Sequence, residues 1–347
     1  MIAVIMAADD SKKRNADAVT LLNYGFSKCK KYEETKVEQT PDVGVKGGME
    51  KCVKAFFGGS KLPILDISEE TLKRLAEEST NKGFTIPGVQ KKLSLHLTEG
   101  ASPRLTLVNY PTGYILKPQT EEYETLPEAE YLVMQMAKQV GIKTVPFALI
   151  KMNSKGELAY ITKRIDRASV DGKMQMLAME DFCQLEERLT EDKYKGSYER
   201  CAKVIKKYSS MAKFDLTELY LRLVFSFVIG NSDMHLKNFS MIEKAEGSSE
   251  YVLSSAYDLL PVNAIMPEDE EEFALTMCKK KSKIRRKDFL SFAEEIGIES
   301  VTAEKLLSMV IKEKETLLSM ADESYLSEGI KGRLKEIISA RIGVLEE

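Results

Sequence analysis

At 347 residues, with 51 Lys+Arg against 54 Asp+Glu, a net charge of −3 and 43% hydrophobic residues, the chain has the composition of a globular protein of roughly one to three domains able to bury a core. That balance lacks the basic face needed to neutralise several duplex phosphates, so direct DNA binding is disfavoured against small-molecule or protein substrates. The five cysteines (Cys29, Cys52, Cys183, Cys201, Cys278) are odd in number, dispersed and never in C-x-x-C, which excludes a disulfide framework and a zinc knuckle and fits a reducing compartment.

In chain order, Ile2 to Met6 reads as a strand, with no basic leader before it, and Ala16 to Tyr24 has helical spacing. The charged stretch Lys30 to Gly48 reads as a linker, so residues 1–46 form a short N-terminal piece. Residues 47–165 are β-rich, with strands expected at Leu93 to Leu97, Leu105 to Tyr110, Gly113 to Lys117, Pro146 to Lys151 and Leu158 to Lys163. One helix interrupts them, starting near Pro127, carrying Leu132, Val133, Met136, Ala137 and Val140 on one face, and stopping at Gly141; a small sheet with one packed helix is implied. Residues 166–347 are mainly helical. Asp215 and Glu218 suggest a capping-box start for the apolar run Leu219 to Ile229, which ends at Gly230 and reads as a buried helix. Arg222 and Ser226 interrupt that run, which is too short for the roughly 20 residues of a membrane helix, so no membrane association is expected and the location is read as cytoplasmic. Asn238 to Ile242 and Tyr251 to Ser254 read as a hairpin, and 288–345 as amphipathic helices. The acidic run Glu268 to Glu272 and the basic run Lys279 to Lys287 are expected as solvated surface, with a docking patch as the alternative.

The chemistry concentrates in Gly230-Asn-Ser-Asp233-Met-His235-Leu-Lys237-Asn238, directly after the buried helix. An Asp and an Asn so spaced match a protein-kinase catalytic loop, in which the Asp accepts the substrate hydroxyl's proton and the Asn holds Mg²⁺. The far strand of the hairpin leads to Ala256-Tyr257-Asp258, so Asp258 can return to the same site as a second oxygen ligand for a hard cation. Lys117, at the end of an apolar strand, can reach the phosphates of a nucleotide, and Glu130 on the clear helix is its natural ion-pair partner, with Glu124 and Glu128 also nearby. The loop Gly83-Phe-Thr85-Ile-Pro87-Gly88-Val-Gln90-Lys91-Lys92 contains neither G-x-G-x-x-G nor a P-loop signature; in this context it would cover the phosphates, with the Thr85 hydroxyl close by. His235 is expected to orient the loop by hydrogen bonds rather than titrate, and Cys183 to be a packed residue rather than a nucleophile.

Together, Gly88-Val-Gln90-x-Lys92, Ile115-Leu-Lys117-Pro118, Glu130-Tyr131, Arg164-Ile-Asp166-Arg167, Glu180-Asp181-Phe-Cys-Gln184, Ile229-Gly-Asn-Ser-Asp233-x-His235-x-Lys237-Asn238-Phe239-Ser240 and Tyr257-Asp258-Leu259 resemble the HipA family of serine/threonine-kinase toxins, in order from about residue 50 to 345. The resemblance implies an α+β, two-lobed protein-kinase-like fold with a β-rich N-lobe and a helical C-lobe. It implies Asp233 as base, with His235 and Lys237 in the catalytic set, and Asn238 and Asp258 as Mg²⁺ ligands. ATP would be bound by Lys117, Gly88, Gln90 and Lys92, with Glu130 supporting, Lys163 to Ile165 as the hinge at adenine, and Asp166 near the ribose. Family members act as the toxin of a toxin–antitoxin pair; characterised ones phosphorylate an aminoacyl-tRNA synthetase and are restrained by a helix-turn-helix antitoxin, through which alone they meet operator DNA. Thr85 stands where the family's autophosphorylated Ser is usual. The first 46 residues are too few for the family's amino-terminal subdomain, which implies a separate small subunit, as in split systems. A catalytically idle partner in a repressor complex is the alternative, against which Lys117, Asp233, Asn238 and Asp258 all stand intact. Residues 1–30 resemble the end of a D-alanyl-D-alanine carboxypeptidase domain; S-x-x-K occurs at Ser79 and Ser210, but K-T-G is absent, and a fused fragment without peptidase chemistry is expected.

Overall fold

A computed structural model describes residues 5–6, 53–59, 61–65, 92–98, 103–106, 113–152, 157–170 and 173–347. By contacts the chain divides into two compact units, one of Met1–Thr120 with Pro146–Arg164, the other of Glu121–Val145 with Ile165–Glu347.

The first unit is built on a seven-stranded sheet of β1 (Ile5–Met6), β2 (Ile64–Leu65), β3 (Leu93–Leu97), β4 (Arg104–Thr106), β5 (Tyr114–Pro118), β6 (Phe147–Lys151) and β7 (Leu158–Lys163). Their order is β1-β6-β7-β5-β3-β4-β2, antiparallel except for the β2–β4 pair. The expected strands at 93–97 and 158–163 have those bounds, because alternating or continuous apolar runs flanked by Gly and Pro leave little freedom of register. A short helix, α1 (residues 53–57), packs Val53, Phe56 and Phe57 onto Leu95, Leu105, Leu116, Ile150 and Ile161. Tyr114 joins this core and donates its hydroxyl to the Phe56 carbonyl at 3.0 Å, which satisfies the one polar atom it buries.

In the second unit, α2 (Leu126–Gln139) has Pro127 in its first turn and is followed by Gly141 at φ 91°. Expected on the sheet, α2 instead belongs to the helical unit, where it packs against α5 (Ala212–Ile229) and α9 (Lys314–Asp322). The hairpin β8 (Arg167–Val170) and β9 (Lys173–Met176) has no clear sequence signal. A three-stranded sheet follows, of β10 (Met179–Asp181), β11 (Ser240–Glu243) and β12 (Tyr251–Leu253), in the order β10-β11-β12. The hairpin β11–β12 was expected from the sequence; its third strand, β10, is too short to show a period. The remaining helices are α3 (Phe182–Leu185), α4 (Tyr198–Tyr208), α6 (Val262–Ile265), α7 (Arg286–Ile296), α8 (Ser300–Ile311) and α10 (Glu328–Glu346).

Helix α5 buries thirteen side chains, from Asp215 to Ile229. Each fully buried Leu or Phe among them contributes roughly 1.5–3 kcal/mol, which makes α5 the mast on which the following loop is mounted. The helix starts at Ala212, a turn before the expected capping box. Asp215 is buried within α5 and accepts hydrogen bonds from the Leu253 backbone N–H (2.7 Å) and the Ser209 hydroxyl (2.5 Å), tying the helix to β12. Arg222 is 1% exposed: it pairs with Glu218 at 2.9 Å and donates to the Ser254 carbonyl at 2.6 Å, directly after β12. No helix among the described residues is long and apolar enough to cross a membrane.

Candidate active site

Gly230 ends α5 at φ 75°, a left-handed cap in which the Asn231 N–H reaches the Ser226 carbonyl at 2.8 Å. The cap turns the chain sharply into the loop holding Asp233. The loop is closed by its own hydrogen bonds: His235 N–H to the Asp233 carbonyl (2.8 Å), Asn238 N–H to the His235 carbonyl (2.9 Å) and Asn238 Nδ2 to the Asp233 carbonyl (2.8 Å). The expected Asp–Asn pair is therefore one rigid unit, with Asn238 buried and the Asp233 side chain 46% exposed.

A second segment, not evident in the sequence, braces this loop. The Leu236 N–H donates to the Lys193 carbonyl (3.1 Å), and the Tyr198 hydroxyl donates to the Met234 carbonyl (3.0 Å). The Tyr194 hydroxyl donates to Asp233 Oδ1 at 2.7 Å, and its ring meets the His235 ring edge-on at 5.1 Å. Burial and the neighbouring Asp233 charge push the Tyr194 phenol above its ordinary range, so it remains a donor. His235 is buried, with Nε2 4.0 Å from Asp233 Oδ2.

Lys237 pairs with Asp181 at 2.6 Å; the other Asp181 oxygen caps α3 by accepting from the Gln184 N–H, and the Gln184 side chain accepts from the Asp181 N–H. The Glu180-to-Gln184 motif is thus a capping box that anchors the loop lysine. Cys183 is buried beside it, donating to the Leu189 carbonyl at 3.2 Å, and burial raises its thiol, as expected of a packed residue and not of a nucleophile.

Asp258 comes to the same end of the β11–β12 hairpin as Asn238. The Ser254 N–H pairs with the Ser240 carbonyl, and the Tyr257 hydroxyl donates to the Lys237 carbonyl at 3.0 Å and lies 2.6 Å from Ser240 Oγ. Asp258 itself is left-handed, at φ 59°, a conformation that costs a non-glycine residue about 1 kcal/mol or more. The donor set fits a hard divalent cation. The Asn238 amide spends an N–H within the loop, which leaves its oxygen, with the Asp258 carboxylate, as groups that could hold such an ion.

In the first unit, Lys117 lies in β5, 4% exposed, its ammonium 5.4 Å from the ring of Tyr160, its direct partner on β7. Glu130, in the second unit, is fully buried on α2. Lys163 closes β7, its N–H bonded to the Pro146 carbonyl at 3.0 Å, and the chain passes between the units at Arg164 and Ile165. The Asp166 carboxylate pairs with Arg167 at 2.8 Å. Lys92 directly precedes β3, whereas Thr85, Gly88 and Gln90 lie outside the described residues.

The two charge runs are more than solvated surface. Asp269 accepts from the Ser232 hydroxyl of the Asp233 loop at 2.5 Å, Glu271 pairs with Lys281 at 3.2 Å, and Glu272 accepts from the Ile284 N–H at 2.8 Å. Glu268, Glu270, Lys279, Lys283 and Lys287 are exposed, as expected.

Among known proteins, the chain is 27% identical over 269 residues to a protein named "Putative kinase" from Haemophilus influenzae, spanning 71% of this chain and 77% of that one. It is 34% identical over 211 residues to "Putative kinase Y4dM" of Sinorhizobium fredii, spanning 57% of this chain and 49% of that one. A solved structure of Shewanella oneidensis HipA, in complex with HipB and operator DNA, superposes with a TM-score of 0.65 at 17% identity, covering 82% of this chain and 74% of that one. The fold is therefore the HipA-like kinase fold expected from the sequence. A family model described as the HipA-like C-terminal domain matches residues 84–318. That match takes in Lys117, the loop of Asp233 and Asn238, and Asp258, and the chain belongs to the HipA-like C-terminal domain family.

Proposed function

We propose that this protein is an ATP- and Mg²⁺-dependent kinase that phosphorylates a Ser or Thr hydroxyl of a protein. The observation that carries the reading is the rigid Asp233–Asn238 loop tied through Tyr257 to the strand end that bears Asp258. In the reaction, Asp233 orients the acceptor hydroxyl and takes its proton. The acceptor oxygen forms a bond to the γ-phosphorus as the bond to the bridging oxygen breaks, and ADP leaves. Asn238 and Asp258 would hold Mg²⁺, which when bound neutralises charge on the phosphates. Lys117 would add its ammonium to the phosphates, with Glu130 supporting it and Lys163 to Asp166 meeting the nucleoside. Most of the rate then comes from alignment and a preorganised field.

The homologous complex of HipA with HipB and operator DNA supports a toxin role with a DNA-binding antitoxin as partner. An aminoacyl-tRNA synthetase is the proposed protein target, and Thr85 the proposed site of a self-inactivating phosphate. Intact-mass spectrometry after incubation with Mg²⁺ and ATP, with peptide mapping around Thr85, tests this. One added phosphate at Thr85 in the parent and none in Asp233→Ala is expected. Addition of equal extent in both proteins would overturn the assignment of Asp233.

A further inference from the structure

Segment 193–198 touches four consecutive residues of the catalytic loop, yet only one of its contacts reaches a side-chain atom on which the proposed chemistry depends. Lys193 and Tyr198 hold backbone groups of Leu236 and Met234. Tyr194 holds Oδ1 of Asp233 at 2.7 Å. Its ring also meets His235 edge-on, and the Lys193 ammonium lies 4.8 Å from the ring centroid. A carboxylate on a half-exposed loop side chain can rotate about χ2, and each rotation moves the lone pair meant for the acceptor hydroxyl. A charge-assisted hydrogen bond from the Tyr194 phenol narrows that freedom before substrate arrives.

We propose that Tyr194 is a positioning residue for phosphoryl transfer, its hydroxyl setting the orientation of the Asp233 carboxylate; this rests on the kinase reading above. The opposing possibility is that the same hydroxyl blocks the acceptor position and must leave before substrate binds. The two differ in the sign of the effect when the hydroxyl is removed. Tyr194→Phe keeps the ring against His235 and deletes only the donor.

The test is steady-state ADP formation from Mg·ATP, with water as acceptor, by the full chain, Tyr194→Phe, Asp233→Ala and the double variant. Positioning requires kcat to fall about tenfold or more in Tyr194→Phe, with KM for ATP and the melting temperature unchanged. It also requires Tyr194→Phe to have no further effect in the Asp233→Ala background, a non-additivity that a general loss of folding would not produce. A Tyr194→Phe rate equal to or above the parent's, while Asp233→Ala is slower than the parent, overturns the positioning role and leaves the kinase reading standing. A parent no faster than Asp233→Ala overturns the kinase reading and the positioning role with it.

Discussion

Arg222 shows how much a single side chain can hold in this molecule. It is a cation buried in an apolar helix, joined on one side to Glu218 one turn earlier and on the other to the Ser254 carbonyl, four residues before Asp258. Removing one member of a buried pair leaves the other desolvated, at a cost of about 3 kcal/mol. Arg222→Met is expected to lower unfolding stability by that order in urea titrations, and a change under about 0.5 kcal/mol would show the pair to be dispensable. Lys117 makes a different demand: its aliphatic stem is buried in β5 and its charge lies near Tyr160. Lys117→Met preserves the packing and removes the charge, so ATP affinity should fall at least about tenfold by calorimetric titration. Unchanged affinity would remove Lys117 from the nucleotide site.

Elements carry these residues to their places, and the turn after α5 is the most constrained. Gly230 has φ 75°, and a Cβ there would lie 3.2 Å from Ile337 on α10 and 3.4 Å from Asn263. Arg341 of α10 donates to the Phe227 carbonyl in the last turn of α5 and to Asn263 Oδ1, each at 2.7 Å, so the C-terminal helix locks the end of the mast. Gly230→Ala combines a left-handed backbone with a steric contact and should cost about 1–3 kcal/mol in chemical denaturation; a cost near zero would mean that the turn relaxes freely. This element was legible in the sequence, because an apolar run ended by glycine has a local signature. Asp215 was not: its spacing to Glu218 suggests a cap, but its partners at Ser209 and Leu253 are brought by tertiary structure that no local pattern records. Tyr194 was missed for the same reason, lying 39 positions from Asp233 in a segment without periodicity.

At the scale of the whole molecule, a sheet unit bearing Lys117 and a helical unit bearing Asp233, Asn238 and Asp258 divide the proposed chemistry between them. Candidate residues with fixed spacing in one loop, such as Asp233 and Asn238, have a local signature in the sequence. The long-range contacts that brace them, from Asp181, Asp269 and Arg341, could not, since each spans 37 residues or more. The central claim is Mg²⁺-dependent phosphoryl transfer centred on Asp233. It is tested most directly by ADP formation from ATP, with and without Mg²⁺, by the parent and by Asp233→Ala at matched melting temperature. Turnover by the parent only with Mg²⁺, and a loss on the order of a hundredfold in Asp233→Ala, is the expected result. A parent that forms ADP no faster than Asp233→Ala would contradict it.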